Sequence, residues 1–178
     1  YTSANVSTLT KAGMEAPKGS VDGRGASWGS VIHKALEQLA KGIGDVNDAI
    51  WLGRLLTDQD RPIEEVTELK ETLIKITSAQ IWQRLQNAGE VMTEVPFGIF
   101  EDQTYLTGTI DLIFREDREW VLIDYKTDAI RDDDHLRQLK EYYWPQVEVY
   151  KNSWERITGE PVKEIGLFFT NRLTYESL

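Results

Sequence analysis

Apolar positions along this 178-residue chain change period about halfway. In "SWGSVIHKALEQLAKG", Val31, Ile32, Ala35, Leu36, Leu39 and Ala40 recur at helical spacing, with Ser27 placed to cap the start and Gly42 or Gly44 to end it. "DVNDAIWLGRLLTD" and a longer stretch from near Pro62 through "IEEVTELKETLIKITSAQIWQRLQNAG" keep that period, so three helices are expected first. From Glu90 the chain turns to β-branched and aromatic residues. "EVMTEVPFGIFE", "TYLTGTIDLIFRE" and "EWVLIDYKTD", separated by short polar turns, predict a three-stranded meander. A short helix is expected from about Asp134 to Tyr143, a second opening at Pro145 and running through Trp154 to Arg156, and "VKEIGLFFTN" as a last strand. An α-rich start followed by β-β-β-α-β predicts an α/β core.

The first 26 residues are rich in Ser, Thr and Gly and show little periodicity. They read as a linker or an excised boundary, leaving residues 27–178 as one domain. A start at Tyr1 makes a piece of a longer protein the expectation. No apolar run reaches the roughly 18 residues of a membrane span, and no basic-then-apolar leader is present, so the expected location is cytoplasmic with no membrane partner. With no cysteine, disulfides, thiolate zinc and iron–sulfur clusters are excluded, and any metal must sit on oxygen or imidazole. No P-loop motif occurs, which removes that kind of nucleotide site. A formal net charge of −10 is unusual for a chain that grips nucleic acid unaided.

Charged residues interrupt two of the apolar strands. In "LTGTIDLIFR", strict alternation puts Asp111 with Thr109 and Ile113, and Ile110 with Leu112 on the opposite face; in "VLIDYKTD", Asp124 shares a face with Lys126 and Leu122. Antiparallel pairing across the "EDRE" turn would bring Asp111 beside Asp124. Two carboxylates that close repel unless a cation lies between them, and oxygen ligands without cysteine point to Mg²⁺ or Mn²⁺. Such an ion beside a lysine has the parts for phosphodiester hydrolysis, with Asp111 and Asp124 as ligands and Lys126 acting on the water. The plainer reading is an ion pair of Asp124 with Lys126 and a turn-capping Asp111.

Four motifs in order, "GSVIH", "GTIDLIF", "IDYKTD" and "QVEVY", resemble the PD-(D/E)xK nuclease core, and more narrowly the nuclease domain of RecB/AddA-type bacterial helicase–nucleases, over roughly Gly29 to Asn171. The resemblance implies a restriction-endonuclease-like fold, a mixed central sheet flanked by helices, with an N-terminal helical segment. It implies His33, Asp111, Asp124 and the backbone carbonyl of Tyr125 as ligands to Mg²⁺, with Mn²⁺ as a substitute. Asp111, Asp124 and Lys126 are then the catalytic set. Glu94 falls at an acidic position where it holds a metal-bound water or a second ion, or else is a surface residue. Gln146 and Tyr150, one helical turn apart, are expected to touch the active-site loop or the DNA, against packing alone for Tyr150 within the stripe Tyr143, Val147, Tyr150 and Trp154. His135, in "DDDHLRQ", reads as part of a solvated charge run, and Glu37 as a solvated neighbour of His33.

The function implied is metal-dependent hydrolysis of DNA, single-stranded or at duplex ends, in double-strand break repair and recombination. The implied partners are helicase domains of the same parent chain and a partner subunit, in a bacterial, nucleoid-associated setting. Motor domains that grip DNA would account for the acidic charge. The lack of cysteine sets this chain apart from iron–sulfur relatives of the group. Two other readings stay open: an inactive DNA-channel or subunit-contact module, and a stand-alone nuclease of the restriction or phage-exonuclease type.

Overall fold

The computed structural model describes residues 2–17, 25–101 and 103–178. Strand β1 (Thr2–Asn5) and helix α1 (Val6–Thr10) come first, then α2 (Gly25–Ala40), α3 (Ala49–Thr57), a 3-10 turn (Ile63–Glu65), α4 (Val66–Thr77) and α5 (Gln80–Gln86). The meander follows as β2 (Glu90–Glu101), β3 (Thr104–Glu116) and β4 (Glu119–Lys126), and the chain ends with α6 (Asp133–Thr158), β5 (Val162–Phe169) and β6 (Thr174–Ser177). One mixed sheet holds the six strands: β3 pairs antiparallel with β2 and β4, β4 parallel with β5, β5 antiparallel with β6, and β1 parallel with β3.

Apolar side chains on the sheet's two faces make two cores. Leu112, Phe114, Val121, Ile123, Tyr125 and Phe168 pack under α2 to α5, whereas Ile110, Ile113, Leu122, Leu167 and Phe169 pack under α6. Burial on both faces explains why β4 reads as an almost unbroken apolar run. A two-residue turn with Asp117 and Arg118 at positive φ joins β3 to β4 and matches the strand twist. That confirms the antiparallel pairing across "EDRE".

Several expectations are corrected. Strict alternation fails along β3: Ile110 goes to the α6 side but Leu112 to the α2 side. The change of side falls at Asp111, opposite which Glu94 of β2 has φ +50 and makes no ladder pair. A non-glycine residue in the left-handed region breaks the pleat, so both strands switch the face they present there. Ser27 lies inside α2 rather than capping it, and its hydroxyl accepts from Arg61 at 2.9 Å. Gly42, at φ +71, ends α2 as expected.

Pro145 does not divide two helices, because α6 is continuous through it. A proline removes one bond of the ladder, and burial of Leu139 before it with Gln146, Val147 and Tyr150 after it holds the turns together. The third predicted helix divides into the 3-10 turn, α4 and α5.

The opening segment departs most from the linker reading. Thr2–Asn5 form a strand on β3, Asn5 caps α1 by accepting from the Ser7 N–H at 3.0 Å, and Val6 is fully buried. Its few apolar residues are too sparse to show a period, and long-range pairing with β3 supplies the order. The remaining part of that expectation at residues 18–24 lies outside the described residues.

Candidate active site

β2 occupies one edge of β3 along most of its length, so β1 and β4 share the other edge: β1 pairs with Thr104–Thr107 and β4 with Leu112–Glu116. Gly108 to Asp111 fall between them. The site is built at this gap, where β3 offers side chains and backbone that no neighbouring strand covers.

Asp111 stands at the end of the gap. Its Oδ2 accepts the Tyr125 backbone N–H at 2.7 Å and lies 3.6 Å from His33 Nδ1. His33 comes from α2, whose close approach depends on Gly29, because a Cβ there would sit 2.9 Å from Thr127 Oγ1. The Tyr125 ring meets His33 edge-on at 5.8 Å between centroids. Glu94 completes the cluster: His33, Glu94 and Asp111 each present one ligand atom within 4.8 Å of the others. An open cleft of about 560 Å³, bordered by Gly29, Ser30, Lys34 and Glu37, leads to His33 and Glu94.

Asp124 is buried and faces α6. Its Oδ2 forms an ion pair with Lys126, and its Oδ1 accepts from Gln146 Nε2 at 3.2 Å. The same Gln146 nitrogen donates to the Tyr150 hydroxyl at 2.7 Å. Tyr150 is wedged edge-on against Phe97, and Gly108 makes room for both, since a Cβ there would come within 2.7 Å of Phe97 and 3.1 Å of Tyr150. Lys126 Nζ also lies 4.3 Å from the Tyr143 ring centroid, and the Tyr143 hydroxyl donates to Asp128 at 3.1 Å.

These surroundings split the two aspartates. Burial pushes both carboxyls up, but at Asp111 the His33 and Lys126 charges and the Tyr125 N–H outweigh it, so its pKa falls below the usual carboxylate range. At Asp124 burial prevails over Lys126, and the Asp111 charge adds to it, so the pKa rises. His33 resists charging through burial, yet the Asp111 carboxylate prevails and holds its pKa above the ordinary imidazole value. Glu94 is pushed up by burial and by Asp111.

The structure thus brings together all of the expected positions while sorting them. His33, Asp111 and Glu94 form one group; Asp124, Lys126, Gln146 and Tyr150 form an adjoining one, and Tyr125 bridges them through its backbone. The ion pair of the plainer reading is present at Asp124, while Asp111 spans from β3 to β4 rather than capping a turn. Gln146 and Tyr150 are both buried, and their polar contacts run to Asp124 and to each other.

His135 is corrected from solvated to buried: it is 1% exposed, behind the Asp132 cap of α6, and its Nδ1 accepts from the Arg131 N–H at 3.3 Å. Glu37 pairs with Lys34 and Lys41 along α2. Sequence reading passed over Asp128 and Tyr143, whose signal was Asp128 closing the quoted "IDYKTD", and Lys11, which left none because its segment has no period.

One imidazole and two carboxylates within reach of one another, with no thiolate, suit a hard or borderline divalent cation. The residues present fit such an ion. Comparison with known proteins agrees. A profile of the PD-(D/E)XK nuclease superfamily matches residues 9–175. The chain is 28% identical over 167 residues, 83% of its length, to an ATP-dependent helicase/nuclease subunit of the AddA type from Carboxydothermus hydrogenoformans. It is 30% identical over 138 residues, 67% of its length, to the protein of the same name from Staphylococcus epidermidis. A third relative of that name, from Clostridium acetobutylicum, is 28% identical over 169 residues, 80% of the chain. The matches cover 14%, 11% and 13% of those relatives respectively.

Proposed function

The chain belongs to the PD-(D/E)XK nuclease superfamily, and from that premise we propose that it hydrolyses DNA phosphodiesters with a divalent metal, as the nuclease domain of an AddA-type helicase–nuclease acting in double-strand break repair and recombination. The observation that carries this reading is the convergence of His33, Glu94 and Asp111 within 4.8 Å, beside a buried Asp124–Lys126 pair. The relatives' name supports the parent assembly, with helicase domains in the same chain and a partner subunit.

His33, Asp111 and Asp124, with the Tyr125 carbonyl, would hold Mg²⁺ or Mn²⁺, and Glu94 would share the ion or a water on it. When bound, the ion supplies positive charge at the scissile phosphate and acidifies water. The chain's own groups do the rest. Tyr125 fixes Asp111 through its N–H, Gln146 fixes Asp124, and the Lys126 ammonium, aimed by Asp124 and the Tyr143 ring, orients the attacking water and offsets charge developing on the phosphate.

The test is cleavage of end-labelled single-stranded and duplex DNA in Mg²⁺, Mn²⁺ and EDTA, beside Asp111→Ala, Asp124→Ala and Lys126→Ala. Products that need metal and vanish in all three variants, each still folded by thermal melting, are expected. Undiminished cleavage by the three variants sinks the assignment, and no cleavage by the wild type in either metal turns the reading to an inactive DNA-channel domain.

A further inference from the structure

We propose that Lys11 is a phosphate-binding residue for the DNA strand at this site, supplied by the N-terminal segment that crosses the gap in β3. The proposal rests on the nuclease reading above. Because β1 runs parallel to β3 and pairs last at Asn5 with Thr107, the chain leaves β1 heading toward Gly108–Asp111. α1 then lies against both β3 and α6, and Lys11 caps its C-terminal end. Val6, fully buried in the α6-side core, pins the segment there.

The Lys11 ammonium is held in place but has no counter-ion. It donates to Ser7 Oγ at 3.1 Å and stands 4.7 Å from the Tyr143 ring centroid and 5.5 Å from that of Tyr142. Among the described residues it forms no ion pair, whereas Lys34 is matched by Glu37, Arg61 by Glu65 and Lys126 by Asp124. An ammonium has three donors, so two stay open to a ligand. A half-buried cation without a carboxylate, in a chain of net charge −10, is an arrangement that an incoming anion completes. Tyr143 tells which anion. Its ring carries Lys11 and, at 4.3 Å, Lys126, so the two ammoniums are close enough for neighbouring phosphates of one strand to engage both. Lys126 serves the phosphate being cut, and Lys11 the one beside it. The rings fix the lysine by cation–π attraction and limit the side-chain entropy lost on binding.

The experiment compares wild type, Lys11→Gln and Lys11→Arg on a labelled single-stranded oligonucleotide. Binding is followed by anisotropy in EDTA across a salt series, and cleavage in Mn²⁺ by KM and kcat. Lys11→Gln is expected to weaken binding about 10-fold and to flatten the plot of log affinity against log salt by about 0.7, the value for one phosphate contact on a single strand. KM should rise with kcat nearly unchanged, and Lys11→Arg should restore both. A single neutral methylphosphonate linkage next to the cut should weaken wild type and leave Lys11→Gln unaffected.

A wild-type salt slope and KM in Lys11→Gln, whatever its melting temperature, would overturn the proposal and make Lys11 a packing residue. Wild type that binds no DNA would overturn it as well. A flattened slope in Lys11→Gln with no cleavage by any protein would uphold Lys11 while the hydrolytic reading fails, which separates the two.

Discussion

The two halves of the site differ in how they stand before any metal arrives. His33, Glu94 and Asp111 gather two carboxylates with one imidazole on the α2 side, where a cleft reaches them. Asp124 on the α6 side is 3% exposed at its side chain and already has Lys126 against it. The first half is short of positive charge; the second carries its own. A metal entering the first half therefore relieves repulsion, whereas recruiting Asp124 requires it to share its charge between the ion and Lys126. That sharing leaves Lys126 free to turn to water and phosphate.

Asp111→Asn breaks the comparison most severely. Asparagine still accepts the Tyr125 N–H, so the fold should hold, but the receptive half loses its central charge. Cleavage should fall below detection, and the rise in melting temperature that Mn²⁺ gives wild type should disappear, as thermal melts with and without the ion would show. A full Mn²⁺ response in this variant would mean that the ion sits elsewhere.

Lys126→Met tests the second half. Removing one partner of a buried pair leaves an uncompensated charge, which costs about 3 kcal/mol, and the penalty should appear in urea unfolding in EDTA near neutral pH. It should shrink in acid, where the raised pKa of Asp124 lets it protonate. Mn²⁺ should restore more stability to this variant than to wild type, because the ion replaces the missing cation. Equal gains in both proteins would show that Asp124 does not reach the metal. A smaller effect belongs to Gln146→Leu, which removes the donor that orients Asp124: about 10- to 100-fold in cleavage or metal affinity, with Tyr150 left without its 2.7 Å partner.

How much of this was legible follows from which interactions decide each part. The meander and its chemistry were readable, because β-branched runs with Asp111, Asp124 and Lys126 set into them carry a local signal. The pairing of His33 with Asp111 was available only through a motif resemblance, since 78 positions and three further helices separate them. Glu94 looked ambiguous because its place depends on a backbone reversal, φ +50, that no neighbouring glycine announces. Lys11 and β1 were missed for a related reason: a four-residue strand held by its pairing with β3, and a five-residue helix, offer no period to find. Pro145 misled in the other direction, with tertiary burial of α6 overriding a local breaker.

The smallest effect in the set has a direction that reverses with the metal. His33 has a pKa raised above 6.5 by Asp111, which prevails over burial, so its contribution is fully present below about pH 6.5 and is lost as pH rises through the folded value. Asp111 has a lowered pKa, so its share is present above about 3.8 and is lost as pH falls through the folded value. The pair therefore adds stability in mildly acidic solution, by about 0.5 kcal/mol given that His33 is 32% exposed. In EDTA, the melting-temperature gap between wild type and His33→Gln should be wider at pH 5.5 than at pH 8.5. With Mn²⁺ present the order should invert, because a metal needs the neutral imidazole and protons compete with it. The same gap should then widen toward alkaline pH. A gap that narrows with rising pH in both conditions would place His33 in the ion pair alone and remove it from the metal.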